Sequence, residues 1–319
     1  MRTPKVEDGG DTFTASAERV IAYLKEHTPI PEWSVSRVAG GEQVHVHAGD
    51  NEMLTLGRRV PWDDTFCIRM SNGADRVVAD ASLHPDYRDH PDAGPIRAYA
   101  GIPITDDDGR MFGTLCGVGT QPLSALDDLD NDLVKLMADL LSSQLHLARV
   151  ADRARRSADL ASALAQTDAL TGLINRRGWD LLVDDADRRI SAYGDPVAIA
   201  VIDLDGLKSL NDLQGHDAGD ELLRRAGSAL ASAAEPSDRV ARYGGDEFAI
   251  LSNNVAVKNL ASHFATFTDA LAEQGVAASL GHAATSAGVV DMAGAFAQAD
   301  AQMYAAKEAR RAPDRSEML

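Results

Sequence analysis

The chain has 319 residues, of which 45% are apolar, 25% charged and 5% aromatic, and its formal net charge is −18 at neutral pH. That length allows two domains with a core each, while the excess of acid excludes a nucleic-acid partner, because phosphate backbones demand a cationic footprint. No stretch approaches the roughly 18 apolar residues of a membrane helix, so no membrane partner is expected.

Met1 to Thr12 form a polar tail without the apolar stretch of a secretion signal. The chain has only two cysteines, Cys67 and Cys116, which fits a reducing compartment, and a cytoplasmic location is expected. Ala15 to Glu26 carry Val20, Ile21 and Leu24 at helical spacing. Trp33 to His47 alternate like a hairpin around Gly40-Gly41, and Leu54 to Val60 continue as strand. Asp63-Asp64-Thr65 offer a cap for a short helix through Met70. Arg76 to Ala81 read as a strand, and Ile96 to Thr105 with Arg110 to Gly119 as a hairpin about Asp106-Asp107-Asp108-Gly109. Alternation puts His45 and His47 on one strand face as a candidate metal pair, though exposed polar histidines are the commoner outcome. Cys67 and Cys116 are either a redox pair or plain buried thiols.

From Asp130 to Gln166 there is no proline or glycine. Leu133, Leu140, Leu147, Ala154 and Ala161 recur every seven residues, with Leu136, Val150 and Leu164 interleaved and Ser143 and Ser157 interrupting. The spacing predicts a coiled-coil seam between two protomers; the plainer alternative is one amphipathic helix packed on its own domain.

Beyond this helix, Val197-Ala198-Ile199-Ala200-Val201-Ile202 is a continuous apolar run, the pattern of a buried strand, and it ends in Asp203-Leu204-Asp205. Some forty residues on, Asp238 to Ala241 and Ala249 to Leu251 flank Arg242-Tyr243-Gly244-Gly245-Asp246-Glu247-Phe248. Gly244-Gly245 suit a two-residue turn at positive φ. Carboxylates at a strand end and on a neighbouring hairpin tip fit a divalent-metal site for phosphoryl chemistry.

In order with these blocks stand Asp168-Ala169-Leu170-Thr171-Gly172-Leu173-Ile174-Asn175-Arg176-Arg177, Gly206-Leu207-Lys208-Ser209-Leu210-Asn211-Asp212, Gly215-His216-Asp217-Ala218-Gly219-Asp220, Ala278-Ser279-Leu280-Gly281 and Ala299 to Lys307. Together they resemble the GGDEF domain, the catalytic module of diguanylate cyclases, over residues 167–319. Residues 13–147 resemble a GAF sensor domain through Asp64-Thr65-Phe66-Cys67, Val78-Ala79-Asp80, Ile96 to Pro103 and Gly113-Thr114-Leu115-Cys116. The implied fold is α/β (α+β): a polar tail over 1–12, a GAF sandwich with a central antiparallel sheet, a connecting coiled-coil helix over 131–166, and a palm-like nucleotidyl-cyclase domain.

What the resemblance implies is the joining of two GTP into cyclic di-GMP with release of two pyrophosphates, at a site completed across a homodimer two-fold axis. Asp203, Asp246 and the Leu204 carbonyl match the metal ligands for Mg²⁺ or Mn²⁺, two ions per site. Asp246 and Glu247 are the candidate catalytic carboxylates, and the sequence does not separate ligand from base. Asn211 and Asp220 match the guanine readers; Lys208, Lys307 and Arg311 match the phosphate-binding cations. His216 is expected to be a hydrogen-bonded structural histidine, and Gly215 and Gly219 to allow tight turns and close approach. The chain ends soon after the last block, so no phosphodiesterase module is expected.

Three departures stand out. Leu207 replaces the family's usual Phe, and His282 takes a usually apolar strand position. Where many cyclases carry an Arg-x-x-Asp product-inhibition site, Glu235-Pro236-Ser237-Asp238 retain the Asp but put an acid in place of the Arg, so no such site is expected. The GAF ligand is unreadable. Neither cysteine precedes a histidine, against a covalent bilin, and His45, His47, His84 and His90 are haem-ligand candidates only by default. The alternative to a cyclase is a silent GGDEF module that binds GTP or cyclic di-GMP or acts as a scaffold; a further one is altered nucleotide specificity.

Overall fold

Gly40 and Gly41, at φ 62° and 81°, close the first hairpin, the left-handed pair that a two-residue loop requires. The computed structural model describes residues 9–124, 129–285 and 288–311. They fall into two compact units, the first drawn mainly from residues up to Arg155 and the second mainly from Arg156 onward. Both are α+β with wholly antiparallel sheets. Most of the polar tail lies outside the described residues.

The first unit comprises α1 (Gly9–His27), β1 (Glu32–Ala39), β2 (Glu42–Ala48), β3 (Arg59–Pro61), α2 (Phe66–Ser71), β4 (Val77–Val78), β5 (Ala98–Thr105), β6 (Met111–Gly119) and most of α3 (Asn131–Ala165). Its six strands run in the order β3-β2-β1-β6-β5-β4. Thr65 caps α2, its Oγ1 accepting from Ile68 N at 3.1 Å. Phe66, Tyr87 and Tyr99 stand 5.3 Å apart, centroid to centroid, in one buried cluster.

Two expected strands are shorter than their sequence suggests. Within Leu54 to Val60, Gly57 takes φ 77° and its N–H donates to His45 O, so pairing begins only at Arg59. Beyond Val78, Asp80 Oδ1 accepts from Ser82 N at 3.1 Å, a local turn that ends β4. The same carboxylate takes Arg97 Nε at 2.9 Å. Hydrogen bonds from Arg97 and then Ser82 hold its pKa below the ordinary range against burial.

The histidines also depart from expectation. Ser36 pairs with His45 and Val35 with His47, so Val46 is an extra residue in β2, a bulge that breaks the alternation. Both rings are buried rather than exposed, and they meet different neighbours. His45 Nδ1 is 2.8 Å from Ser34 Oγ, while His47 packs edge-on against Phe13. Burial, then the nearby charge of Arg58, pulls the His45 pKa down to about 4. His84 Nε2 pairs with Asp75 at 3.0 Å, and His90 Nδ1 accepts from Asp92 N at 3.1 Å.

Along α3, Val134, Ala138, Leu141, Leu145 and Ala148 form the buried stripe, and Ser142 Oγ accepts from Thr105 N. The heptad residues lie off this stripe: Leu136, Leu140, Leu147, Val150 and Leu164 are 47–60% exposed. One helix thus carries two apolar stripes, and only one is used within the chain. The side chains of Ala154 and Ser157 lie outside the described residues.

The second unit contains most of α4 (Arg176–Tyr193), with β7 (Val197–Leu204), α5 (Leu207–Gln214), α6 (His216–Ala233), β8 (Asp238–Arg242), β9 (Glu247–Asn253), α7 (Leu260–Glu273), β10 (Ala278–Ala284) and α8 (Met292–Arg311). Its strand order is β10-β7-β9-β8. Every residue of β7 is buried, as its unbroken apolar run requires. Ala198, Ala200, Ile202 and Leu204 join one core with Leu222, Leu230, Phe264 and Phe267 of α6 and α7, and Leu207 fills part of it. His282 stacks on Phe264 at 5.5 Å, which explains an imidazole at that strand position. No helix among the described residues is long and apolar enough to cross a membrane.

Candidate active site

Strand register assembles the site. Asp203 lies opposite Glu247 on β9 and opposite Ser279 on β10, so the three side chains share a sheet face at one end. Lys307 and Arg310 of α8 serve this row. Lys307 Nζ donates to Asp203 Oδ1, and Arg310 donates to Ala278 O and, at 3.2 Å, to Asp205 Oδ2. Ser279 Oγ is 3.5 Å from both oxygens of Asp205. The Asp203 and Lys307 side chains are only 11% and 15% exposed, so this ion pair is largely shielded from water.

The hairpin tip is held by Arg242. Its Nε and one terminal nitrogen donate to Gly245 O at 3.2 and 2.7 Å; the other terminal nitrogen donates to Asp168 at 3.2 Å. Burial works to raise the Asp168 pKa, but the Thr171 hydroxyl and N–H together with Arg242 hold it low. Leu204 N donates to Asp246 O at 3.0 Å, fastening the tip to the end of β7. Contrary to expectation, neither Gly244 nor Gly245 takes positive φ. Four residues, Tyr243 to Asp246, separate the strands, so the loop is too long to need a left-handed pair. Gly244 instead makes room for Glu247, whose Oε2 would sit 2.3 Å from an added Cβ, and Gly245 has open space around it.

A second group of candidate residues forms where α5 meets α6. Gly215, at φ 86°, turns the chain between the helices. Gly219 lets the Asn211 carboxamide lie against α6: an added Cβ would meet Asn211 Oδ1 at 1.9 Å. That oxygen is buried and has no hydrogen-bond partner. Asp220 stands beside it, half-buried. Gly219→Ala is therefore expected to push Asn211 aside and raise the KM for nucleotide by roughly 10–100-fold, leaving the circular dichroism spectrum unchanged; steady-state kinetics checks this.

The model for "Diguanylate cyclase, GGDEF domain" matches residues 165–313, and the GAF domain model matches residues 14–145. The chain belongs to the GAF–GGDEF diguanylate cyclase family. It is 37% identical over 153 residues to the response regulator PleD of Caulobacter vibrioides, covering 48% of this chain and 32% of that one. It is 36% identical over 155 residues to the diguanylate cyclase DgcS of Shewanella oneidensis, covering 47% and 52%. The chain thus spans about a third to a half of these relatives. A crystal structure of the GGDEF domain of DgcB from Caulobacter crescentus, in complex with c-di-GMP, aligns with TM-score 0.42 and 31% identity, covering 46% of this chain and 91% of that one.

The GGDEF domain brings Asp203, Glu247 and Lys307 to one sheet face, with the Asp246 backbone bonded to β7, and sets Asn211 against Gly219 beside Asp220. Among the described residues, the side chains of Lys208, Asp220, Asp246 and Glu247 form no hydrogen bond or ion pair. The Arg311 side chain lies outside the described residues. His216 is exposed, and its ring makes no hydrogen bond among the described residues, so the expected structural role is not seen there. Sequence reasoning missed three residues: Asp205 and Arg310, which brace the strand end, and Arg242, which clamps the tip. Their signal was proximity to the motifs, but no sequence spacing announces contacts made across strands.

Among the described residues no three His, Cys, Asp or Glu side chains cluster as a metal cage. The donor set of two carboxylates and a backbone carbonyl still suits Mg²⁺ or Mn²⁺, which prefer oxygen and complete their shells with water and substrate phosphates.

Proposed function

We propose that this GAF–GGDEF protein is a diguanylate cyclase, its GAF domain (13–147) acting as sensor, its helix (131–166) as connector and its GGDEF domain (167–319) as catalyst. The observation that carries this reading is a pair of half-buried hairpin carboxylates, Asp246 and Glu247, which have no side-chain partner among the described residues at the strand end that holds the Asp203–Lys307 pair. A fold tolerates such unpaired acid where a ligand or cation completes it.

Two GTP molecules react, each held by one GGDEF domain. The 3′-oxygen of one forms a bond to the α-phosphorus of the other, and the bond from that phosphorus to the β-phosphate bridging oxygen breaks, releasing pyrophosphate. A hairpin carboxylate, Asp246 or Glu247, takes the hydroxyl proton. The Asp220 carboxylate accepts from the guanine N1–H and amino group, and the Asn211 amide pairs with the guanine acceptor edge. Lys208, Lys307 and Arg311 neutralise phosphate charge that the acidic chain otherwise repels. Asp203, Asp246 and the Leu204 carbonyl would hold Mg²⁺ or Mn²⁺, which supplies charge neutralisation at the reacting phosphate.

Product inhibition of the common kind is absent in this reading. Asp238 is turned inward: Oδ2 accepts from Glu235 N at 2.9 Å and Oδ1 lies 3.2 Å from His263 Nε2, with its side chain fully buried. Calorimetry of cyclic di-GMP against the full-length protein is expected to give no tight binding that Asp238→Ala removes.

Purified protein incubated with GTP and Mg²⁺ is expected to yield cyclic di-GMP and pyrophosphate, with ATP a poor competitor. GTP binding without product from a dimeric sample would favour the silent module.

A further inference from the structure

Cys67 of α2 and Cys116 of β6 face each other with their sulfurs 3.9 Å apart, both thiols free and buried. An ordinary buried cysteine sits among hydrocarbon as a small hydrophobe. Cys67 does not. Gln43 Nε2 and Tyr99 Oη donate to its Sγ at 3.5 Å each, and the Thr114 hydroxyl also lies at 3.5 Å.

Tyr99 is fully buried, and Cys67 is the one hydrogen-bond partner of its hydroxyl among the described residues. Its ring reaches there because residue 101 is glycine: an added Cβ would fall 1.9 Å from the Tyr99 oxygen. The sequence thus keeps a space on β5 that lets a phenol donate to a thiol. The contact with Cys116, then the hydrogen bonds with Thr114, Tyr99 and Gln43, pull the Cys67 pKa down against burial, while the same contact and burial push Cys116 up.

Beside the pair lies a cavity of about 60 Å³ whose lining includes His45, Met53, Phe66, Tyr99 and both cysteines. A water-sized molecule needs about 10–15 Å³, so a small oxidant fits.

We propose that Cys67 and Cys116 are a two-thiol oxidation site, at which a small hydroperoxide converts the facing thiols into an intramolecular disulfide. The Cys67 thiolate attacks one peroxide oxygen; the O–O bond breaks, and the leaving oxygen departs as an alcohol, or as water from hydrogen peroxide, carrying the proton Cys67 gave up. Cys67 is then a sulfenic acid. Cys116 Sγ attacks Cys67 Sγ, the S–S bond forms, the S–O bond breaks, and hydroxide leaves as water with the Cys116 proton. Two thiols lose two electrons, and the peroxide gains them. The sulfurs must close from 3.9 Å to about 2.05 Å. Cys116 is held in a strand paired on both sides, so the six-residue helix carrying Cys67 makes most of that movement.

The test uses the reduced full-length protein, exposed to hydrogen peroxide, denatured, alkylated and weighed intact. It does not depend on cyclase activity. The expected result is a monomer that has lost two hydrogens, resists alkylation at both cysteines and yields a linked Cys67–Cys116 peptide. Cys116→Ser is expected to trap a dimedone-reactive sulfenic acid on Cys67. Tyr99→Phe, which keeps the ring and removes the donor, is expected to slow oxidation by roughly threefold to tenfold. Disulfides between chains, equal rates for Tyr99→Phe and the parent, or oxidation only in the urea-unfolded chain would each overturn the proposal.

Discussion

Asp246→Asn is expected to cut cyclic di-GMP synthesis by at least about 100-fold while leaving thermal stability within about 0.5 kcal/mol of the parent. The asymmetry follows from the environment of this carboxylate. It is half-buried, and its side chain has no partner to lose among the described residues. Its backbone carbonyl, which accepts from Leu204 N at 3.0 Å, is untouched by the substitution. Asp203→Asn provides the contrast. It should lose activity to a similar degree but also lose stability, because Lys307 Nζ would remain at 15% exposure without its counter-charge. The cost stays below the roughly 3–5 kcal/mol of a fully buried pair, since both side chains keep some water contact. Product formation and thermal melts on the two variants check both statements. Full activity in Asp246→Asn would remove the hairpin from the proposed chemistry.

The second large effect concerns the exposed stripe of α3. Replacing Leu140 and Leu147 with Glu is expected to convert a dimer into folded monomers and to lower activity at micromolar protein by roughly 100-fold, because in the proposed reaction each site needs a second domain brought to it. The two leucines are 50% and 60% exposed and lie off the stripe that packs within the chain, so the fold does not depend on them. Covering each half-exposed leucine or valine recovers about 1 kcal/mol. Five such residues from each of two chains supply on the order of 10 kcal/mol, against about 4–15 kcal/mol lost on association. On the proposed reading the seam would be a weak dimeriser, suited to a connector whose pairing a signal or a nucleotide shifts. Analytical ultracentrifugation against protein concentration, with turnover measured on the same samples, checks this. Activity that stays unchanged in a monomeric variant would sink the dimer.

The legible part of this protein was local. Strand β7 announced itself because six consecutive apolar residues have no other use than a strand with both faces covered. Its terminal Asp203, the hairpin carboxylates and the Asn211 and Asp220 positions could be named from ordered blocks. The heptad residues were legible for the same reason: a seven-residue spacing is a property of the chain before it folds.

What only the tertiary structure decided depends on register and on residues far apart in sequence. Gly244 and Gly245 keep negative or extended φ because the loop has four residues, a count fixed by where β8 and β9 stop pairing. A single bulge at Val46 separated two histidines that strict alternation had put together. The choice of Lys307 for Asp203, and of Arg310 for Asp205, came from packing α8 over the end of β7, 104 and 105 residues away in sequence. Cys67 and Cys116, 49 residues apart, were two unrelated thiols until the sheet set β6 beside α2. Local propensity is written in composition and spacing, whereas contacts between distant residues exist only once the chain has closed its loops and fixed its register.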